Sequence, residues 1–296
     1  MTSMTRRETD PATSQALRRW ALEVAAAGGH HIRLTAPRGG LLDAGRHMAD
    51  LLPDLTPHTD GGPVRRPPMI TPRVDARVVE FVGTSRRQGV LAMAHQGILV
   101  LDPAPDYAPA VMDTLWSVLD TGEVVVRHGD ATRRSPARFQ MLLASPACPC
   151  GKAPDECRCA PTVARRYQAR VPAHILTRVH IHVDLSTPSV PDRVVDAFDA
   201  PHGARSRVAR ARARQEDRWQ GTGWEHNRDI PVSFLRDTLF TKKAMAPIKE
   251  AVRAGRLSSR GWADVMRVCW TLADLDGIGV PVRDHVDAAL ALVGRH

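Results

Sequence analysis

AAAGGHHIRLTAPRGG, residues 25–40, ends one helix, opens a buried strand and closes on a glycine turn. Upstream, SQALRRWALEVAAA (14–27) sets Leu17, Trp20, Ala21 and Val24 at helical spacing, which gives one apolar stripe. Gly28 and Gly29 then stop the helix. Ile32 to Ala36 reads as a short strand, Ala-Pro-Arg-Gly-Gly as a turn, and Leu41 to Leu52 as a helix that runs to Pro53. The proline-rich segment from Pro53 to Arg77 reads as an irregular loop.

The same alternation continues downstream. GILVLD (97–102) is an unbroken apolar run ending in a carboxylate, the pattern of a buried parallel strand. Val111, Leu115, Val118 and Leu119 stripe the next helix. The β-branched VVVRH predicts a hairpin with Thr132–Ser135, and RFQMLLAS predicts another buried strand. In VHIHVDL, Val179, Ile181 and Val183 fall on one strand face. Strands alternating with helices over residues 14–185 argue for an α/β core with a parallel sheet. STPSVPD (186–192) reads as a linker, after which helices are expected near 192–219, 231–254, 258–276 and 281–294. The expected division is an α/β core at 1–188 and an all-helical domain at 189–296.

With 296 residues, 43% of them hydrophobic, the chain can bury its own core. Only thirteen residues are aromatic, so that core must be mostly Ala, Val and Leu. No apolar run approaches the ~20 residues that cross a bilayer, and the polar start MTSMTRRETD has no secretory signal, so no membrane partner and a cytoplasmic location are expected. The net charge of +9 admits a phosphate-binding role, but 37 of the 41 basic residues are Arg, and a solvated Arg-rich surface explains the charge equally well.

A strand, a glycine turn and a helix, with a strand ending in Asp ~60 residues later, is the layout of a nucleoside triphosphatase. Its first turn carries G-x-x-x-x-G-K-[ST], so that backbone amides and a Lys hold the phosphates. Here Pro37, Arg38, Gly39 and Gly40 form the turn, but Leu41 and Leu42 supply neither cation nor hydroxyl. Cys148, Cys150, Cys157 and Cys159 form C-P-C-x6-C-R-C, two close pairs that can close tetrahedrally around a structural zinc; the alternative is four reduced thiols on a loop. Cys269, on the apolar face of SSRGWADVMRVCWTLADL with Trp262, Val265, Met266 and Leu272, is a core residue. His180 and His182 alternate on a strand and could form a metal pair, whereas His30 and His31 are placed to cap or position the strand beginning at Ile32. Arg205, Arg207, Arg210, Arg212, Arg214 and Arg218 lie on one basic helix, either as a solvated connector or as a face for DNA phosphates. No aromatic residues interleave there to stack bases.

The strings AAAGGHHIRLTAPRGG, LAMAHQGILVLD, LDTGEVVVRHGDATRRSPARFQMLLAS, CPCGKAPDECRCAPTVARRY, ILTRVHIHVDL, VARARARQEDR and LSSRGWADVMRVCWTLADL resemble, in this order and spacing, the magnesium-chelatase-like AAA+ family of the ComM (YifB) type. The resemblance runs over roughly residues 12–292. It implies a AAA+ α/β core, a helical lid, and assembly into homo- or hetero-oligomeric rings on duplex or branched DNA. Such proteins usually carry a further amino-terminal domain resembling that of the Lon protease, which this sequence is expected to lack.

By this resemblance the family's phosphate-loop Lys-Thr falls on Leu41-Leu42, the magnesium carboxylate on Asp102, the water-activating Glu on Pro103 and the sensor Asn on Ser145. Proline has no acid–base group, so of these positions only Asp102 keeps its chemistry. Arg178 matches the arginine that a neighbouring subunit donates across the ring, and Arg260 the lid's sensor arginine. Both could instead form inter-subunit or interdomain ion pairs, and Arg38 could stand in for the missing Lys. Asp102, Arg178 and Arg260 are therefore remnants of a catalytic centre. The expected protein is a non-hydrolysing scaffold or regulatory subunit in DNA processing, holding zinc; the missing groups count against ATP and magnesium. A weak ATP-driven DNA-remodelling motor and a zinc-stapled nucleic-acid adaptor are the alternatives.

Overall fold

A computed structural model describes residues 11–39, 41, 43–55, 65–128, 131–186, 203–237 and 242–294. The chain forms two compact units, one of Met1–His30 with His180–His296 and one of His31–Val179. The linker read at 186–192 lies almost wholly outside the described residues, as do Gly40 and Leu42.

In the first unit, α1 spans Pro11–Gly28. Its end is fixed by space as well as by glycine flexibility: a Cβ at Gly28 would lie 2.2 Å from the His30 ring, and Gly29 takes φ +72. In the second unit come β1 (Ile32–Thr35), α2 (Ala44–Leu51), β2 (Met69–Ile70), α3 (Val78–Val82), α4 (Val90–Met93), β3 (Ile98–Leu101), α5 (Pro109–Thr121), β4 (Glu123–His128), β5 (Ala131–Pro136), β6 (Gln140–Ser145), α6 (Pro161–Gln168) and α7 (Ala173–Leu176). The chain then supplies β7 (Ile181–Asp184), α8 (Ala204–Trp219), α9 (Val232–Asp237), α10 (Lys242–Arg253), α11 (Ser259–Asp276) and α12 (Arg283–Val293) to the first unit.

Within His31–Val179, four strands lie in the order β2-β3-β6-β1, all pairs parallel. The central β6 is buried along its whole length, as expected of a parallel strand covered on both faces. Phe81, Leu91, Leu99, Leu101, Met112 and Leu115 pack one core around it, each worth ~1.5–3 kcal/mol of burial. The hairpin pairs Glu123 with Pro136 and His128 with Ala131, as the β-branched run predicts. Met69–Ile70 is not irregular loop: it adds an edge strand, pairing with Ile98 and Leu99. The helix expected from Leu41 begins only at Ala44, after a turn in which the Ala44 amide donates to the Leu41 carbonyl at 3.0 Å.

In the other unit, α8 turns Val208, Ala211, Gln215 and Trp219 inward at three- and four-residue spacing. Three aromatic rings gather around Trp219, with Trp224 at 5.3 Å, Phe234 at 5.5 Å and Trp270 at 6.2 Å. Cys269 is fully buried on α11, as its place on the apolar face requires. Among the described residues no helix is long and apolar enough to cross a membrane.

Candidate functional site

The register sets the site. Thr35 pairs with Ser145 and Leu101 with Leu143, so the carboxyl ends of β1, β3 and β6 open on one edge of the sheet. Ligands of open parallel sheets sit outside such an edge. Ala36, Asp102 and Pro146 are the first residues beyond it.

The turn after β1 is anchored at both ends. The Ala36 amide donates to the Ser145 carbonyl at 3.3 Å, and the Arg38 amide donates to the Gly151 carbonyl at 2.8 Å. Gly39 takes φ +86, with open space where a side chain would be. Leu41 is 6% exposed, so the position that the resemblance gives to the phosphate-gripping Lys is a core side chain.

Asp102 is half-buried, and burial raises its carboxyl above the ordinary range while the Arg38 charge pulls the other way. Pro103 comes next and leads into a single 3-10 turn at Ala104–Asp106. There the structure adds a group that sequence patterning does not single out. Asp106 faces the Arg38 guanidinium at 3.7 Å with one oxygen and the Arg170 guanidinium at 3.7 Å with the other. The Tyr167 hydroxyl is pushed up to about 12, first by burial and then by the charge of Asp106, and Arg170 lies over its ring at 5.6 Å. Tyr107, pushed up to about 12 by burial, donates to the Pro72 carbonyl at 2.7 Å. With their proton affinity raised, the Tyr107 and Tyr167 hydroxyls stay protonated and supply no base.

Ser145, at the sensor position, is fully buried. Its hydroxyl bonds to the Pro146 carbonyl at 3.3 Å and to Gln168 at 3.4 Å, and Gln168 also takes a bond from Arg33. This hydroxyl is held by the protein. Arg178 makes an ion pair within its own unit, with Asp120 on α5. Arg260 is exposed in the first turn of α11, whose cap is Ser258 accepting from the Gly261 amide at 3.1 Å.

The four cysteines converge. The Sγ atoms of Cys148, Cys150, Cys157 and Cys159 lie within 4.8 Å of one another, and Cys150 and Cys157 are 3.6 Å apart. A disulfide needs ~2.05 Å, whereas tetrahedral zinc with Zn–S of ~2.3 Å sets sulfurs ~3.8 Å apart. The Lys152 backbone amide draws the Cys150 thiol down to about 7, while hydrogen bonding to Cys148 and Cys150 pushes the Cys159 thiol up to about 12. Four sulfurs this close cannot all be thiolates without a cation between them. The cluster can hold a metal ion, and its donors suit zinc. Among the described residues it is the one grouping of three or more such side chains, and it does not include His180 or His182. His180 lies 5.2 Å from the His30 ring.

His30 and His31 act as positioning residues at the end of α1 and the start of β1. His31 Nδ1 accepts the Met141 amide at 2.9 Å, tying the entrance of β1 to β6. His30 Nε2 bonds with the Thr271 hydroxyl at 2.8 Å, and burial, with Arg228 and Arg267 nearby, lowers it to about 3.

The arginine run on α8 is turned largely inward. Arg207 grips Glu23 with two bonds of 2.6 and 2.9 Å. Arg212 donates to the Ala26 carbonyl at 2.9 and 2.7 Å, and Gln215 to the Ala27 carbonyl at 3.1 Å. Arg228 completes the set on the Gly29 carbonyl at 2.8 Å. These donors satisfy carbonyls that a helix end leaves without partners and place cations at its negative pole. Arg214 donates to the Asp274 carbonyl at 2.8 Å, and Arg218 pairs with the Asp274 carboxylate and stacks 4.6 Å over Trp270. Arg205 and Arg210 are exposed.

Sequence comparisons agree with this architecture. The family "Magnesium chelatase, subunit ChlI" matches residues 57–192, and "Magnesium chelatase, subunit ChlI C-terminal" matches residues 200–292. An uncharacterized protein of Mycobacterium tuberculosis is 34% identical over 308 positions, covering 94% of this chain and 59% of the relative. YifB of Escherichia coli is 27% identical, and the competence protein ComM of Haemophilus influenzae 26%, each alignment covering 91% of this chain and 57% of the relative. The chain thus spans less than two thirds of the length of these curated relatives. A parallel-sheet core with a glycine turn after its first strand, a helical carboxyl-terminal region and these matches lead to one assignment: the chain belongs to the magnesium-chelatase-like AAA+ family of the ComM type.

Proposed function

We propose that this chain is a AAA+ module that has stopped hydrolysing nucleotide and acts as a scaffold or regulatory subunit in DNA processing, within a homo- or hetero-oligomeric ring on duplex or branched DNA. The observation that carries this reading is the chemistry at the sheet edge. Where the family resemblance expects a phosphate-gripping cation there is a buried Leu41, and where it expects a base there is Pro103. ATP with magnesium does not fit this donor set. Asp102 offers an oxygen where the family's metal carboxylate stands, and Pro103 beside it cannot take a proton from water. The cysteine cluster fits zinc as a closed structural site with no open coordination position.

Titration with a fluorescent ATP analogue, with and without magnesium, paired with phosphate release, tests the proposal. Magnesium is expected to leave affinity unchanged, and phosphate release is expected at background in the wild type and in Asp102→Ala alike. Turnover above background that disappears in Asp102→Ala overturns the proposal in favour of a motor. A monomer by size-exclusion mass, both with and without duplex DNA, overturns the ring.

A further inference from the structure

The cysteine loop and the degenerate phosphate turn are joined at one residue. Gly151 lies directly after Cys150; its amide donates to the Cys148 carbonyl at 2.9 Å, and its carbonyl accepts the Arg38 amide at 2.8 Å. Gly151 takes φ +72, and a Cβ built on it would lie 2.8 Å from Arg38 Cβ and 3.0 Å from Arg38 Nε. The Arg38 stem therefore lies against the bare backbone of the loop, with its guanidinium directed to Asp106. A phosphate bound at the end of a strand needs free backbone amides, and the Arg38 amide is already taken.

We propose that the metal-closed cysteine loop is a latch that holds the turn Pro37–Gly39 shut. The direction of the Gly151 carbonyl is set by the segment Cys148–Cys150 just before it, and convergence of all four sulfurs on one cation fixes that segment. Without the cation the sulfurs have no common centre, the 148–151 segment relaxes, and the Arg38 amide is released from the Gly151 carbonyl. Metal occupancy of the loop thereby controls whether the turn can offer a backbone donor to an anion. The latch rests on zinc occupying the cysteine cluster, and the two are separable by experiment.

The test is amide hydrogen exchange on the full chain, read by mass spectrometry on overlapping peptides across Leu34–Gly39, with zinc content measured in parallel. Stripping with a chelator is expected to speed exchange of the Arg38 amide by roughly tenfold, the loss expected when one backbone hydrogen bond opens. Added zinc is expected to restore it. The Met141 amide, held by His31, is expected to stay protected throughout and reports that the sheet is intact. Gly151→Ala is expected to retain one equivalent of zinc while exchanging fast at Arg38. One equivalent of zinc whose removal leaves Arg38 exchange unchanged overturns the latch but not the zinc site. A chain that holds no zinc and does not respond to added zinc overturns both. Should stripping also expose Met141, the Gly151→Ala protein decides: slow Arg38 exchange in it overturns the latch.

Discussion

Acidification tests the buried end of α1. His30 is wholly buried with its proton affinity lowered to about 3, chiefly by burial and then by Arg228 and Arg267, whereas in an unfolded chain histidine titrates near 6.5. The folded state therefore binds fewer protons than the unfolded state below pH 6.5, so the stabilising difference is complete above that value and is lost as pH falls toward 3. At pH 5 the unfolded His30 is favoured by a factor of roughly 30, or about 2 kcal/mol relative to pH 8. His226, also buried and lowered by burial, Arg212 and Arg228, adds in the same direction. Urea denaturation with tryptophan emission as the readout is a suitable assay, because Trp219, Trp224 and Trp270 lie in the same unit as His30. The wild type is expected to lose at least about 2 kcal/mol between pH 8 and pH 5. His30→Gln, which can still bond to Thr271, is expected to lose about 2 kcal/mol less over the same interval. An equal loss in the two proteins refutes the assignment of this pH dependence to His30.

The geometry also sets two other outcomes. Arg212→Ala strands the Ala26 carbonyl and is expected to cost about 1–3 kcal/mol, seen as a drop of several degrees in melting temperature, whereas the exposed Arg210→Ala shifts it by less than the equivalent of ~0.5 kcal/mol. Cys148→Ser is expected to lower bound zinc well below one equivalent, since the ligand set is then one thiolate short; plasma mass spectrometry after mild purification measures this, and undiminished zinc removes Cys148 from the ligand set.

The parts of the fold legible in the sequence were those with local signatures. The apolar runs at 98–101 and 140–145 could be placed because a strand covered on both faces leaves no room for polar residues. The cysteine cluster was legible because its spacing nearly dictates its closure. Met69–Ile70 was hidden: two residues among prolines become a strand only because the edge of Ile98–Leu99 is there to pair with. Asp106 was hidden as well, since its meaning comes from Arg38 and Arg170, which lie far from it along the chain. For the arginine helix, spacing shows which side chains share a face but not that Glu23 and the carbonyl of Ala26 wait inside to receive them. Hydrogen bonds between residues more than 180 positions apart leave no periodic trace.

Those same long-distance bonds impose an order on biogenesis. The helix at Pro11–Gly28 leaves the ribosome well before Arg212, Gln215 and Arg228, which close its end and are synthesised some two hundred residues later. At translation speeds of ~5–20 residues per second, the nascent helix waits on the order of 10–40 s for its partners. The central unit, whose residues run without interruption from His31 to Val179, has all its own sequence available well before then. Assembly on the ribosome is thus expected to begin with His31–Val179 and to finish when the segments that flank it in sequence pair with each other.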